Sequence, residues 1–198
     1  MQGAQLHVVC DGLLSRIFQR PSEENTRGFV VAVTSAHPKA GVSHITNALA
    51  STLDQGGDRF TMLLNGRYMS TESADSETRP GGAAVANLWQ RDRPDGAYDN
   101  WHGMHTRLAI YLEKLRREYR YILIDCPSLR EAEHAAILAP LVDGVVLVVE
   151  ANRTQRDQFL YAERTIENAG GRVLGHVLNK RTYLIPTWLH RKMEAIGI

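Results

Sequence analysis

The amino-acid sequence predicts an α/β fold, with a mostly parallel sheet and helices on both faces. Five short apolar runs lack the polar–apolar alternation of half-exposed strands, as expected where both faces of a sheet are covered. Segments with apolar residues at helical spacing lie between these runs, and strands that alternate with helices form βαβ units. The length of 198 residues suits one domain spanning residues 1–198.

The elements are predicted in order along the chain. The five predicted strands are 29–33, 60–64, 121–124, 145–149 and 173–178. Apolar residues recur at helical spacing in three groups: Ile45, Ala48, Leu49 and Leu53; Leu108, Tyr111, Leu112 and Leu115; and Phe159, Ala162 and Ile166. Residues 1–27 are interpreted as an N-terminal helix and linker. Residues 70–100 are rich in Ser, Gly, Pro, Asp and Arg and are predicted to form an irregular insertion or loop.

Composition excludes several classes of protein. Lys and Arg total 23 against 22 Asp and Glu, so there is no basic excess for binding nucleic acid. No apolar run approaches the ~20 residues that span a bilayer, and charged residues interrupt the first twenty positions where a signal peptide would be apolar. Two cysteines and eight scattered histidines form no metal-binding pattern. We therefore expect a cytoplasmic protein.

Residues 34–44 have the placement of a phosphate-binding loop, between the first strand and a helix predicted from Ser43 to Leu53. The usual pattern is G-x-x-x-x-G-K-[ST], in which backbone N–H groups and the helix N-terminus hold phosphate. Gly41 fits the second glycine and Ser43 the Mg²⁺-binding hydroxyl, but Val42 stands at the lysine position. Losing such a charge-stabilising contact costs on the order of 10²-fold or more in rate.

Two residues near the loop are candidates to replace the missing lysine. Lys39 lies within the loop and is one candidate for a catalytic cation. His44 is the other candidate, if the motif is shifted by two residues so that His44 takes the lysine position. That shift moves Ile45 to the metal-ligand position, so we prefer the register with Val42 in the lysine position. The predicted cofactor contacts in the loop are Gly41, Val42, Ser43 and His44.

The third predicted strand ends in Asp125. An apolar strand that ends in Asp beside a phosphate-binding loop is the Walker B arrangement, in which the carboxylate holds Mg²⁺ directly or through water. Ser43 and Asp125 are therefore the predicted Mg²⁺ ligands, and Asp125 is the second predicted catalytic residue.

Four segments of the second half of the chain, residues 119–128, 135–149, 152–154 and 171–179, resemble the cytoplasmic domain of bacterial tyrosine kinases. Residues 34–38 and 47–50 match the flanks of the phosphate-binding loop in these kinases, and residues 177–181 also resemble polysaccharide-cluster proteins of this kind. The resemblance implies a three-layer P-loop fold of the MinD/ParA branch, ATP or ADP with Mg²⁺, and a role in capsule or exopolysaccharide synthesis. It implies that Asn179 contacts the purine base, with Arg181 nearby.

The sequence departs from the kinase pattern in three places. Besides Val42, the second acidic motif, Asp-x-Asp, is replaced by Asn65 and Arg67. An amide is a poor replacement for a carboxylate as a base or Mg²⁺ ligand, and a guanidinium repels the metal. The kinases usually end in a tyrosine-rich tail, whereas residues 192–198 contain no tyrosine.

These departures favour a degenerate member of the family, a pseudokinase in which catalysis is weakened or lost and in which binding of ATP or ADP with Mg²⁺ is either kept or lost. We expect it to regulate polysaccharide synthesis by binding a membrane-bound chain-length (co-polymerase) protein or an active kinase, as a homo- or hetero-oligomer, reaching the membrane only through its partner. The alternative is a divergent active ATP-dependent tyrosine autokinase, or a MinD/ParA-like ATPase, that uses Lys39. Its candidate autophosphorylation sites are Tyr68, Tyr98, Tyr111, Tyr119, Tyr121, Tyr161 and Tyr183.

Overall fold

The computed structural model describes residues 27–55, 61–66, 77–78, 84–87 and 101–181. The strands are β1 (Phe29–Ser35), β2 (Thr61–Asn65), β3 (Glu77–Thr78), β4 (Ala84–Asn87), β5 (Tyr121–Asp125), β6 (Gly144–Glu150) and β7 (Val173–Asn179). The helices are α1 (Val42–Gln55), α2 (Trp101–Glu118), α3 (His134–Leu138) and α4 (Arg156–Asn168). All five predicted strands are confirmed, with ends that shift by one or two residues.

The strands form one sheet in the order β3-β4-β2-β5-β1-β6-β7. Neighbouring strands run parallel except for β3, which is antiparallel to β4. In the register of the central strands, Asp125 lies opposite both Val33 and Asn65. The carboxyl ends of β1, β2 and β5 therefore meet at one edge of the sheet, where ligands bind in open α/β folds.

Two hydrophobic cores cover the two faces of the sheet. On one face, α1 packs its buried Ile45, Leu49 and Leu53 against alternate residues of the central strands. On the other face, α2 packs through Leu108 and Leu112, together with residues of α3 and α4. Successive residues of a strand point to opposite faces, so continuous apolar strands feed both cores. The predicted three-layer α/β fold is confirmed.

The prediction of a wholly irregular segment at 70–100 is wrong over residues 77–78 and 84–87, which form β3 and β4. Pairing with β2 explains the strand at 84–87, since Met62 lies opposite Ala84 and Asn65 opposite Asn87. Such pairing joins residues far apart in sequence, and four residues are too few to show a period. The rest of that range, and residues 1–26 of the predicted N-terminal helix and linker, lie outside the described residues.

The buried side chain of Arg116, near the end of α2, holds the amino end of β1. Its guanidinium donates to the carbonyl oxygen of Gly28 at 2.7 Å and to the carboxylate of Asp143 at 2.5 Å. The same Asp143 oxygen accepts a hydrogen bond from the backbone N–H of Val30 at 2.7 Å. One ion pair thus joins α2, β1 and the turn before β6, at the sheet edge opposite the predicted site.

None of the described helices is long and apolar enough to cross a membrane.

Candidate functional site

The segment 36–41 joins β1 to α1, which is the place of a phosphate-binding loop between a strand and a helix. Lys39 and Gly41 both have positive φ, 66° and 96° respectively. Helix α1 begins at Val42, and the N–H of Ile45 donates to the carbonyl oxygen of Gly41 at 3.0 Å. The backbone N–H groups at 42, 43 and 44 precede this bond at the helix N-terminus, where anions are favoured.

Val42 itself is buried, with 2% of its surface exposed. It belongs to the core cluster that also contains Val31 and Val33 of β1, beneath the loop. An apolar side chain buried there brings no charge to the loop. Ile45 is equally buried in the core, and its hydrocarbon side chain has no oxygen for Mg²⁺, which argues against the alternative register that places His44 in the lysine position.

Lys39 is exposed on the loop. Its carbonyl oxygen accepts a hydrogen bond from the ammonium group of Lys180, which also lies 3.2 Å from a carboxylate oxygen of Glu150. Burial by itself raises the pKa of the Glu150 carboxyl, but the hydrogen bond and charge of Lys180, with the charges of Arg153 and His37, together hold that pKa below its usual value. The charge of Lys180 is therefore compensated by the end of β6.

The side chain of Asn179, the predicted purine contact, is engaged with the loop. Its amide nitrogen donates to the carbonyl oxygen of Ala40 at 2.8 Å, and its oxygen accepts the backbone N–H of Lys180 at 2.8 Å. The amide lies directly against Gly41, where an added Cβ would stand 2.2 Å from the amide nitrogen. Arg181, the other predicted contact beyond β7, is exposed at the end of the described residues.

A second contact to the loop comes from Thr154 and is made through the loop residue His37, which was not singled out from the sequence. His37 is 6% exposed, and its Nε2 lies 2.8 Å from the hydroxyl of Thr154. That hydroxyl accepts the backbone N–H of Glu150 at 3.0 Å, and the hydroxyl of Ser35 donates to the carbonyl oxygen of His37 at 2.8 Å. No spacing in the sequence links residues 37 and 154, because the contact joins two loops at the same sheet edge.

Asp125 ends β5 at this edge and is 8% exposed. Its backbone oxygen accepts the N–H of Gly66, which places the start of the β2 loop beside it at 2.9 Å. Asn65 is its register partner on β2, and Ser43 lies half-buried in the first turn of α1. The second position of the altered acidic motif, Arg67, lies outside the described residues.

The site fits bound Mg-ATP in the placement of its loop but not in its side-chain charge. Residues with positive φ bend the loop ahead of a helix N-terminus, where anions are favoured, yet Val42 is apolar and Asn65 is a neutral amide. Among the described residues, no group of three or more His, Cys, Asp or Glu side chains could hold a metal ion. A Mg²⁺ ion bound through Ser43 and Asp125 would therefore take its further ligands from phosphate oxygens and water.

A pocket of about 510 Å³ opens on the other side of the loop. It is lined by the loop after β1, the segment after β5 and the first turns of α4, namely Ala36, His37, Leu129, Arg130, Asp157, Gln158 and Tyr161. Tyr161 is 70% exposed, whereas Tyr111 and Tyr121 are buried. Among the described tyrosines, Tyr161 is thus the one most accessible to modification.

Comparison with known proteins assigns the chain to a family. No protein-family model matches it. The tyrosine-protein kinase CpsD of Streptococcus agalactiae is 35% identical over 179 residues, covering 80% of this chain and 78% of CpsD. The chain belongs to the bacterial tyrosine kinase family. A second similar protein is the succinoglycan biosynthesis transport protein ExoP of Rhizobium meliloti. It is 31% identical over 178 residues, which cover 76% of this chain and 22% of ExoP.

Solved structures of other proteins have the same fold as this chain. The kinase domain of the Escherichia coli tyrosine kinase ETK aligns with a TM-score of 0.71 and 16% identity, over 91% of this chain and 78% of that one. The septum site-determining protein MinD of Pyrococcus horikoshii, complexed with Mg-ADP, aligns with a TM-score of 0.57 and 15% identity, over 83% of this chain and 76% of that one. These similarities confirm the P-loop fold of the MinD type.

Proposed function

We propose that this chain is a kinase-like regulator of capsule or exopolysaccharide synthesis in which phosphoryl transfer is weakened or lost. The observation that carries the proposal is Val42, which occupies the lysine position of the loop and is buried in the core. Phosphoryl transfer depends almost wholly on positioning and on neutralising charge, so a loop without its lysine loses a main contributor.

Lys180, which lies against the loop, does not replace the missing lysine in the described conformation. Lys180 donates to a loop carbonyl oxygen and pairs with Glu150, so its charge is compensated within the protein. Asn65 stands beside Asp125 where the kinases carry a carboxylate, which removes a Mg²⁺ ligand or base from the same edge. Two changes that affect the same chemistry support weak or absent catalysis, while the backbone of the loop supports residual nucleotide binding.

The partner we propose is a membrane-bound polysaccharide co-polymerase or an active kinase of the same system. The support comes from ExoP, a transport protein of succinoglycan biosynthesis in which the segment similar to this chain makes up about a fifth of the length. A segment that is joined to transport machinery in one protein can associate with it as a separate chain in another. The chain would then act in the cytoplasm and reach the membrane through this partner.

Lys39 favours a second candidate, an active ATPase or autokinase. This residue is exposed on the loop and free of the core packing that holds Val42. Its flexible side chain has the length to bring an ammonium group toward a phosphate bound by the loop. Tyr161, 70% exposed, is then the described tyrosine best placed for phosphorylation.

The test is turnover by the purified chain with Mg-ATP, measured as phosphate release and as phosphotyrosine, with CpsD assayed in parallel. We expect turnover at least about 10²-fold below that of CpsD. Turnover within about tenfold of CpsD would overturn the proposal. Loss of that turnover in Lys39→Ala, but not in the control Lys114→Ala on α2, would establish the second candidate.

A further inference from the structure

Two successive residues at the end of β7 hold two successive carbonyl groups of the loop. The Asn179 amide donates to the oxygen of Ala40, and the Lys180 ammonium donates to the oxygen of Lys39. We propose that Asn179 and Lys180 form a clamp that keeps the loop 36–41 bent without nucleotide, and that a closed clamp prevents Asn179 from contacting a purine base. We call this pair the β7 clamp.

The loop needs such support because its backbone is unfavourable for the residue it contains. Lys39 has a φ of 66°, a left-handed conformation that is uncommon outside glycine and persists where the surroundings fix it. In nucleotide-bound loops the phosphate supplies part of that restraint through the N–H groups. Here the restraint acts on the carbonyl side, and Glu150 holds the Lys180 ammonium in place at 3.2 Å.

Gly41 has the shape that the clamp requires. Its φ is 96°, and an added Cβ would stand 2.2 Å from the amide nitrogen of Asn179. Any other residue at 41 would push the amide away from the loop. The glycine that a phosphate-binding loop uses for close approach of a ligand is used here for close approach of a side chain.

The closed clamp uses both ends of the Asn179 amide. The nitrogen is bonded to the oxygen of Ala40, and the oxygen accepts the N–H of Lys180. An asparagine that reads a purine needs the same donor and acceptor for the base. Base contact at Asn179 therefore requires the clamp to open, which couples nucleotide recognition to release of the loop. This coupling rests on the proposed function, whereas bracing of the loop does not.

Amide hydrogen exchange of the full chain without nucleotide tests the bracing. Asn179→Ala and Lys180→Met should each speed exchange in peptides covering residues 40–49 by about fivefold or more, because each removes a hydrogen bond that restrains the loop. The matched controls are Asn168→Ala at the end of α4 and Lys114→Met on α2, both exposed, which should leave these peptides unchanged. Changes below about twofold in both clamp variants, with melting curves showing that they fold, would overturn the proposal.

Titration calorimetry with Mg-ATP tests the coupling separately. If opening the clamp frees Asn179 for the base, Lys180→Met, which releases one half of the clamp and keeps the Asn179 amide, should bind nucleotide several-fold more tightly than the wild-type chain, whereas the control Lys114→Met should not. Equal or weaker affinity of Lys180→Met, or no measurable binding by either chain, would overturn the coupling. Because neither readout measures turnover, an active enzyme would refute the proposed function and leave the bracing result standing.

Discussion

Replacing Arg116 by methionine should destabilise the protein severely, although this residue lies far from the loop. The side chain is 5% exposed and donates to the oxygen of Gly28 and to the carboxylate of Asp143. Methionine keeps the length of the aliphatic stem and removes the donors. Gly28 then keeps an unsatisfied carbonyl, and Asp143 keeps the N–H of Val30 as its remaining partner in this cluster.

The size of the loss follows from burial. Removing one partner of a buried ion pair costs about 3–5 kcal/mol, since the other charge stays behind uncompensated. The Asp143 side chain is 28% exposed, and water will solvate part of it, so we expect the lower end of that range. A loss of about 3 kcal/mol in a chain of this length lowers the melting temperature by roughly 6–12 °C.

Urea unfolding followed by circular dichroism measures this loss. The neighbouring Arg117 is exposed in the same helical turn, so Arg117→Met is a matched control that should change the free energy of unfolding by about 0.5 kcal/mol or less. The double variant with Asp143→Asn should lose less than the sum of the two single variants. Equal effects of the Arg116 and Arg117 variants would refute the assignment of stability to the buried ion pair.

Two further predictions concern the site. Val42→Lys should bind Mg-ATP about tenfold more tightly than Val42→Met, a control of similar length without the charge. The reason is that a charge-assisted contact to phosphate contributes more than about 1.4 kcal/mol. Equal affinities in calorimetry would show that the missing charge is not what limits binding. Turnover above the wild-type level should appear only when Asn65→Asp is added to Val42→Lys, as measured by phosphate release. The pKa of Glu150 is lowered in the folded state. Its pairing with Lys180 therefore stabilises the fold at a pH above the ordinary carboxyl pKa near 4.5, and this stabilisation is lost as the pH falls through the pKa of the folded state. The free energy of unfolding of wild type should therefore fall more steeply than that of Glu150→Gln between about pH 5 and pH 3, and parallel curves would contradict this linkage.

Patterns within single segments predicted most of the fold. Continuous apolar runs located β1, β2, β5, β6 and β7, since strands covered on both faces cannot alternate. Helical spacing located α1, α2 and α4, whose marked residues are almost all buried. Two short strands and one short helix were missed, because strands of two and four residues and a helix of little more than one turn show no clear period and form through pairing or packing with distant parts of the chain.

For the site, the sequence likewise predicted the position of residues in local motifs but not the contacts between distant segments. Motif spacing placed Ser43 and Asp125 at one sheet edge, and the parallel register brings their strands and helix there. The side-chain roles could not be read from spacing. Asn179, predicted to contact a base, donates a hydrogen bond to the loop carbonyl of Ala40, and His37 contacts Thr154 from 117 positions away.

The sequence by itself determined the order of the longer strands and helices, the resemblance to a family, and the absence of a lysine at position 42. Those properties depend on local periodicity and on residue identity, which are present in the sequence itself. Only the tertiary structure decided that Val42 is buried and that the end of β7 grips the loop. Such contacts form when separate strands end at a common edge, so their partners are chosen by the packing of the whole sheet and not by neighbours in the chain.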